Sequence, residues 1–362
     1  MGQRAGSVEG LVMNLSFWRD RSVFVTGHTG FKGGWISLWL SDLGAKVHGY
    51  SLSPPTTPNF FSETQLENRI QSSTIADIRD LSRLMSAVQT AKPSIVIHMA
   101  AQPLVRESYV KPVETFSTNV IGTVNLLEAV RSVDTVEAIV NITTDKCYEN
   151  QEWVWPYREN DRLGGHDPYS ASKACAELAA AAYRKSFLVE AGIQLASVRA
   201  GNVIGGGDWA TDRLIPDFLR AVDAGKTLKI RSPDAIRPWQ HVLEPLSGYL
   251  LLAELLVIEG AAFAEAWNFG PDEADSKPVS WILDRLCQKI PSANWVLDGS
   301  PQPHEASVLK LDSVKAKTRL NWGPQWSLET ALEKTVEWHQ LWQEGHSMAE
   351  VSVQQIEAHQ IV

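Results

Sequence analysis

A run of β-branched and aromatic residues, Arg21-Ser22-Val23-Phe24-Val25-Thr26, passes directly into Gly27-His28-Thr29-Gly30-Phe31-Lys32-Gly33-Gly34, and no other stretch restricts the fold as much. Apolar Trp35, Ile36, Leu38, Trp39, Leu40 and Leu43 follow at helical spacing and stop at Gly44, a residue suited to a helix C-terminus. Lys46 to Ser51 then reads as a second strand. Strand, glycine turn, helix and strand make a βαβ unit. Glycines spaced three and three let the backbone turn tightly, approach a pyrophosphate and pack helix on strand, while the free amides of the helix start hold the anion. Gly27, His28, Gly30, Phe31, Lys32 and Gly33 are therefore the expected cofactor loop, with Lys32 either beside a phosphate or solvated.

The second strand ends His48-Gly49-Tyr50-Ser51, with no acid for an adenosine ribose, so the choice between NAD and NADP stays open at this point. Ser53 to Pro58 carries three prolines and must be a loop. In Asp77-Ile78-Arg79-Asp80, Asp77 is placed to bond an adenine amino group and Ile78 to cover its face; Asp77 also reads as the cap of a helix from Leu81 to Val88. Ile95 to Met99 is a further buried strand, and Ala100-Ala101-Gln102 after it lets a cofactor pass closely. His98 within that strand reads as a satisfied core histidine. Apolar helices follow from Tyr109 to Val130, through Asn119, a further expected cofactor contact, and are suited to an oligomer interface as well as to the core.

The apolar run Val136 to Ile142 stops abruptly on Thr143-Thr144-Asp145-Lys146-Cys147-Tyr148. In open parallel sheets the ligand crevice lies outside the carboxyl ends of the strands, so polar groups bunched there are candidates for chemistry. Cys147 reads as a small buried thiol rather than a nucleophile. Downstream, Pro168 suits a first helical turn, and Tyr169 and Lys173 lie one turn apart on one face. A phenol with an ordinary pKa of about 10 is a poor base at neutral pH, and a nearby ammonium or a nicotinamide cation would favour its phenolate.

Beyond Arg199 the chain changes character, with Asn202, Gly205-Gly206-Gly207-Asp208-Trp209, Arg213, Arg237-Pro238-Trp239-Gln240-His241 and Trp267-Asn268 in loops and short elements. Their guanidinium forks suit a diphosphate. The expected fold is a Rossmann-type doubly wound parallel α/β sheet with a smaller C-terminal α/β substrate-binding lobe. Its expected parts are an extension over 1–15, a dinucleotide domain with the catalytic residues over 16–200, a mainly substrate-binding lobe over 201–350 and a tail over 351–362.

A net charge of −9 and the lack of a basic run interleaved with aromatics argue against nucleic acid as a partner. The three cysteines form no Cys-x-x-Cys, so neither a disulfide framework nor a metal site is expected, and a reducing compartment, the cytoplasm, is. The apolar stretch Tyr249 to Phe263 is broken by Glu254 and Glu259 and is too short to span a bilayer, so no membrane partner is expected. Residues 1–12 carry no apolar segment of a secretory signal.

Taken together, the glycine loop, Pro54-Pro55-Thr56-Thr57-Pro58, Thr144 to Tyr148, Gly205 to Trp209 and Arg237 to Val242 resemble the extended short-chain dehydrogenase/reductases that act on nucleotide sugars, in particular the 4,6-dehydratase branch that takes CDP-linked glucose. The resemblance runs from Phe17 to about Trp342, and members of the branch typically begin near Met13. It implies tightly bound NAD and a step toward deoxysugars of surface polysaccharides with no net redox change. Tyr169, assisted by Lys173, takes the proton of the sugar 4-hydroxyl, and Thr144 hydrogen-bonds the same oxygen. Asp145 gives a proton to the departing 6-hydroxyl. Where the dTDP-glucose relatives carry a glutamate as the C5 base this chain has Lys146, which acts either as a base of lowered pKa or as a charge that steadies the enolate. The resemblance also implies Asn202, Arg213, Arg237 and Asn268 on the nucleotide diphosphate, and a homodimer or homotetramer. A 4-epimerase or 4-ketoreductase of the same fold would need the tyrosine and lysine but no acid, and a non-catalytic dinucleotide binder would need neither.

Overall fold

The computed structural model describes residues 14–300 and 307–360. Twelve strands are formed among them: β1 (Ser22–Thr26), β2 (Lys46–Ser51), β3 (Ser72–Ile75), β4 (Ile95–His98), β5 (Ala138–Ile142), β6 (Gln194–Ala200), β7 (Asn202–Ile204), β8 (Leu228–Ile230), β9 (Ile236–His241), β10 (Ala266–Phe269), β11 (Ser276–Pro278) and β12 (Trp295–Leu297). β4 and β5 are buried along their whole length, which is why they read as unbroken apolar runs. Seven strands pair in parallel in the order β3-β2-β1-β4-β5-β6-β10. Alternate residues leave each strand on opposite faces. Val23, Val25, Ile95 and Ile97 enter one core with Trp35, Trp39 and Leu250, while Phe24 and Val96 enter the other with Leu84, Leu126 and Val130. The order reverses between β1 and β4, so the crevice of an open α/β sheet lies at their carboxyl ends.

The expected boundary at residue 200 does not hold in full. The helix Leu243–Ile258 packs on β5 and β6, and β10 pairs with β6 as the seventh strand of the main sheet. A further parallel strand requires a crossover helix, and this nearly all-buried apolar segment supplies it. The smaller lobe is what remains. It holds the sheet β11-β9-β7, the pair β12-β8, and the helices Leu214–Asp223, Val279–Lys289 and Leu328–Gln343 around Ile215, Phe218, Ile282, Leu286 and Leu332.

The expected tail is also corrected. Residues 351–360 belong to the helix Met348–Gln360, whose Val351, Ile356 and His359 are buried, with the His359 ring 6.0 Å from Trp39 of the Phe31–Asp42 helix. Of the expected extension over 1–15, residues 1–13 lie outside the described residues. Asn14 is already bound, since its amide donates to Glu254 Oε2 at 3.1 Å and its side chain caps the turn Leu15–Trp18. Among the described residues no helix is long and apolar enough to cross a membrane.

Candidate active site

The cleft is built first by the glycine loop. Gly27 has φ +80°, and a Cβ there would stand 2.8 Å from Ala100 N, so β1 and β4 approach as closely as backbones allow. A Cβ on Gly33 would stand 2.0 Å from the Gly27 carbonyl oxygen, whereas one on Gly30 would meet nothing nearer than that oxygen at 3.4 Å. Gly30 N-caps the Phe31–Asp42 helix without a side-chain hydrogen bond, leaving first-turn amides directed at the cleft. Gly33→Ala is expected to destabilise the protein by about 2–3 kcal/mol in a urea melt, the cost of forcing a methyl into packed backbone.

Around this loop a cleft of about 1130 Å³ is lined by Gly27, Gly30, Phe31, Lys32, Gly33, Asp77, Ile78, Ala100 and Ala101 at one end and by Asn202, Arg213 and Arg237 at the other. That volume suits two nucleotide-sized ligands better than one drug-sized molecule. Thr29 Oγ1 bonds Ser51 Oγ at 2.8 Å and the Leu52 carbonyl at 2.8 Å, so hydroxyls occupy the wall where the second strand lacks an acid. Asp77 lines the cleft with its carboxylate held by Arg79, and Asp80, not Asp77, caps the Leu81–Ala91 helix. Lys32 is not a solvated lysine. Its Nζ donates to the Tyr249 hydroxyl at 3.1 Å, and burial, with Lys173 and Arg213 nearby, pushes its pKa down to about 7.

Three expected cofactor contacts are turned elsewhere. The His28 ring is buried, with Nε2 2.8 Å from Ser73 Oγ, and packs where a Cβ on Gly49 would be 2.4 Å away. Asn119 lies behind the cleft wall, holding the Gln102 amide at 2.8 Å and the Ser172 hydroxyl at 2.8 Å. Gln102 bonds Thr115 Oγ1 and the Leu104 carbonyl rather than facing the cleft. His98 is the satisfied core histidine expected, between Thr26 Oγ1 at 2.7 Å and Thr123 Oγ1 at 3.0 Å. Burial also raises the Cys147 thiol well above its usual range, consistent with an inert buried cysteine.

At the end of β5, Thr144 caps the short turn Asp145–Cys147 by accepting from the Lys146 amide. Its hydroxyl donates to Asp145 Oδ1 at 3.0 Å. The other oxygen, Oδ2, is buried with no protein partner, and burial raises the carboxyl pKa against the opposing pull of Lys146. Tyr169 and Lys173 project from the Pro168–Tyr183 helix, which Asp167 caps through the Ser170 amide. Lys173 Nζ donates to the Ile142 carbonyl at 3.3 Å, and burial lowers its pKa to about 8. Burial pushes the Tyr169 phenol up to about 12; its hydrogen bond with Thr144 is the main opposing force, and the Arg213 guanidinium also lowers it. A buried acid beside a phenol–hydroxyl pair can serve two proton transfers at neighbouring atoms of one ligand.

In the smaller lobe, Arg213 Nη1 bonds Asp208 Oδ2 at 2.8 Å, and Arg237 donates to the Ile236 and Ser307 carbonyls. Asn268 is corrected: it is buried beneath the cleft, donating to the Tyr157 and Asp312 carbonyls and accepting from the Tyr148 hydroxyl at 2.7 Å. Tyr249 and Glu177 escaped sequence reasoning, and Asp208 figures there only as part of the Gly205 to Trp209 stretch. Only Glu177 had a signal, four residues beyond Lys173 on the same helical face.

Residues 24–264 match the family described as GDP-mannose 4,6 dehydratase. Over 351 residues, 95% of this chain and 98% of the relative, the sequence is 54% identical to the CDP-glucose 4,6-dehydratase of Salmonella typhimurium. Among solved structures, the dTDP-glucose 4,6-dehydratase of Streptomyces venezuelae with NAD and TYD bound matches with a TM-score of 0.72 at 25% identity, covering 88% of this chain and 96% of that one. The dTDP-glucose 4,6-dehydratase of Bacillus anthracis in complex with NAD matches with a TM-score of 0.74 at 22% identity, covering 90% and 98%. The last likeness bears on the fold alone.

Proposed function

This chain belongs to the GDP-mannose 4,6-dehydratase family, and from that premise we propose that it converts CDP-D-glucose to CDP-4-keto-6-deoxy-D-glucose with NAD as cofactor. The observation that carries the reading is Asp145, a buried carboxyl with an unpartnered oxygen, mounted beside Thr144 and Tyr169. An epimerase or ketoreductase has no use for that acid. The 54% identity to a CDP-glucose 4,6-dehydratase supports the same choice.

The glycine loop fits a dinucleotide, since Gly30 leaves the helix start open to a pyrophosphate; Asp77 and Ile78 would hold the adenine. NAD, when bound, supplies the acceptor for the C4 hydrogen and its source at C6, so the reaction is redox-neutral. The protein's own residues do the rest. Tyr169 takes the proton of the sugar 4-hydroxyl, Thr144 holds that oxygen, and Lys173 fixes the charge of the pair. The C4 ketone acidifies the hydrogen on C5. Asp145 donates its proton to the departing 6-hydroxyl, while Lys146, lining the same cleft, serves the C5 step. Asn202, Arg213 and Arg237 would bind the diphosphate.

The test is incubation with CDP-, UDP- and dTDP-glucose plus NAD, followed by mass spectrometry for loss of one water. If no sugar nucleotide loses water, the dehydratase reading fails; if UDP- or dTDP-glucose is preferred, the base assignment fails. Lys146→Met is expected to spare oxidation at C4 and slow elimination by about 10²-fold or more, and unchanged turnover would remove Lys146 from the reaction.

We further infer a homodimer, with a tetramer as its doubling, because Val110, Val113, Ile121 and Leu178 are 74%, 82%, 51% and 61% exposed on neighbouring helices. The cysteines, all free among the described residues, suit the reducing cytoplasm, where the pools of sugar nucleotides and NAD lie.

A further inference from the structure

Behind the cleft lies a buried ion pair that the reaction as proposed does not use. Glu177 stands one helical turn beyond Lys173 and two beyond Tyr169, so the three share one face of the Pro168–Tyr183 helix. It meets Arg199 of β6 in a fork, Nε to Oε1 at 2.9 Å and Nη2 to Oε2 at 2.9 Å, with side chains only 4% and 3% exposed. Thr143 Oγ1 donates to the same Oε1 at 2.5 Å, which ties the catalytic helix to the residue before Thr144. Arg199 directs Nη1 to the Tyr148 hydroxyl at 2.8 Å and the Glu159 carbonyl at 3.0 Å. Tyr148, just past the Asp145–Cys147 turn, donates in turn to Asn268. The segments carrying Thr144 to Lys146, Tyr169 with Lys173, and Asn268 at the β10 edge of the main sheet therefore converge on this pair.

Stability is a weak reason for such a pair, because apolar residues of similar volume often serve a fold as well. Its neighbours suggest another. Lys173 is faced by Tyr169 and Glu177 from its own helix, by Cys147 from the catalytic turn, by Lys32 from the glycine loop and by His98 from β4. Among these groups Glu177 is the carboxylate. Burial and the Lys32 amine both oppose a charge on Lys173, and Glu177 is the main group favouring it.

We propose that Glu177, oriented by Arg199, is a positioning residue of the reaction, supplying the counter-charge for the Lys173 ammonium and locking the Thr143–Thr144 strand end to the helix that carries Tyr169. The inference rests on the dehydratase reading for the roles of Tyr169 and Lys173.

The test is Glu177→Gln, which keeps the shape and an acceptor for Thr143 but removes the charge. With Glu177 neutral, Lys173 loses its proton at lower pH. The alkaline limb of the kcat profile is expected to move down by about one pH unit, with KM for CDP-glucose within about threefold of the original. Competitive acylation of Lys173, read by peptide mass spectrometry across pH, reports the same displacement without turnover and so stands even if no sugar nucleotide is dehydrated. An unmoved limb and an unmoved acylation midpoint in folded Glu177→Gln would make the pair structural only and overturn the proposal. Should Glu177→Gln fail to fold, E177M/R199M is compared with R199M, from which it differs in the carboxylate alone: a lower acylation midpoint in the double variant supports the proposal and an equal one overturns it.

Discussion

Tyr169→Phe is expected to lower kcat for water loss from CDP-glucose by about 10³–10⁴-fold, the upper range for a positioned general base. The phenylalanine keeps the ring in its buried seat, where Tyr169 is 7% exposed, so the fold should melt close to the original temperature. What it removes is the oxygen that bonds Thr144 and would receive the 4-hydroxyl proton. The loss belongs to the first chemical step, and neither dehydrated product nor reduced cofactor should appear in the mass and absorbance traces. The phenol's height, about 12 in the protein by itself, adds a pH signature. Activity should rise with pH until the phenolate is reached or Lys173, at about 8, loses its proton. Residual turnover above about a tenth of the original would show that another group takes the proton.

Asp145→Asn is expected to separate the two halves of the reaction. Oxidation at C4 should continue, while elimination falls by about 10²–10⁴-fold for want of an acid at the 6-hydroxyl. A C4-oxidised sugar nucleotide of undiminished oxygen content should then accumulate together with reduced cofactor. The same substitution should raise the melting temperature at neutral pH by a few degrees, as often follows when a strained functional group is removed. Burial holds the Asp145 pKa above its unfolded value, so stability falls as pH rises from that unfolded value, about 4, through the folded one. At pH values above the folded pKa the full cost is present, and asparagine abolishes it. A variant that is both inactive in oxidation and less stable would mean that Asp145 is structural.

Much of the site was legible because its signals are short-range. Glycines three apart, a strand stopping on Thr144 and Asp145, and a tyrosine four residues before a lysine are all local spacings. Backbone geometry converts each into a shared face or a turn. The readings that failed concern the direction in which a side chain points. His28 faces Gly49 and Ser73, Asn119 faces Gln102 and Ser172, and Asn268 faces Tyr148, Tyr157 and Asp312. Partners distant in the chain leave no trace in local pattern.

The chain alone thus determined the parallel sheet, the glycine loop at its switch point, the hydroxyl and acid at the end of one strand and the phenol and amine on one helical face, because periods of two and 3.6 and the demands of backbone turns act within a dozen residues. Tertiary structure decided that residues 243–269 return to the main sheet, that 351–360 form a docked helix, that Lys32 is enclosed with Tyr249, and that Arg213 comes close enough to lower the Tyr169 phenol. It also placed Glu177 and Arg199 together beneath the site. These outcomes depend on burial and on charges brought within a few ångströms by the fold, and both are properties of the packed whole.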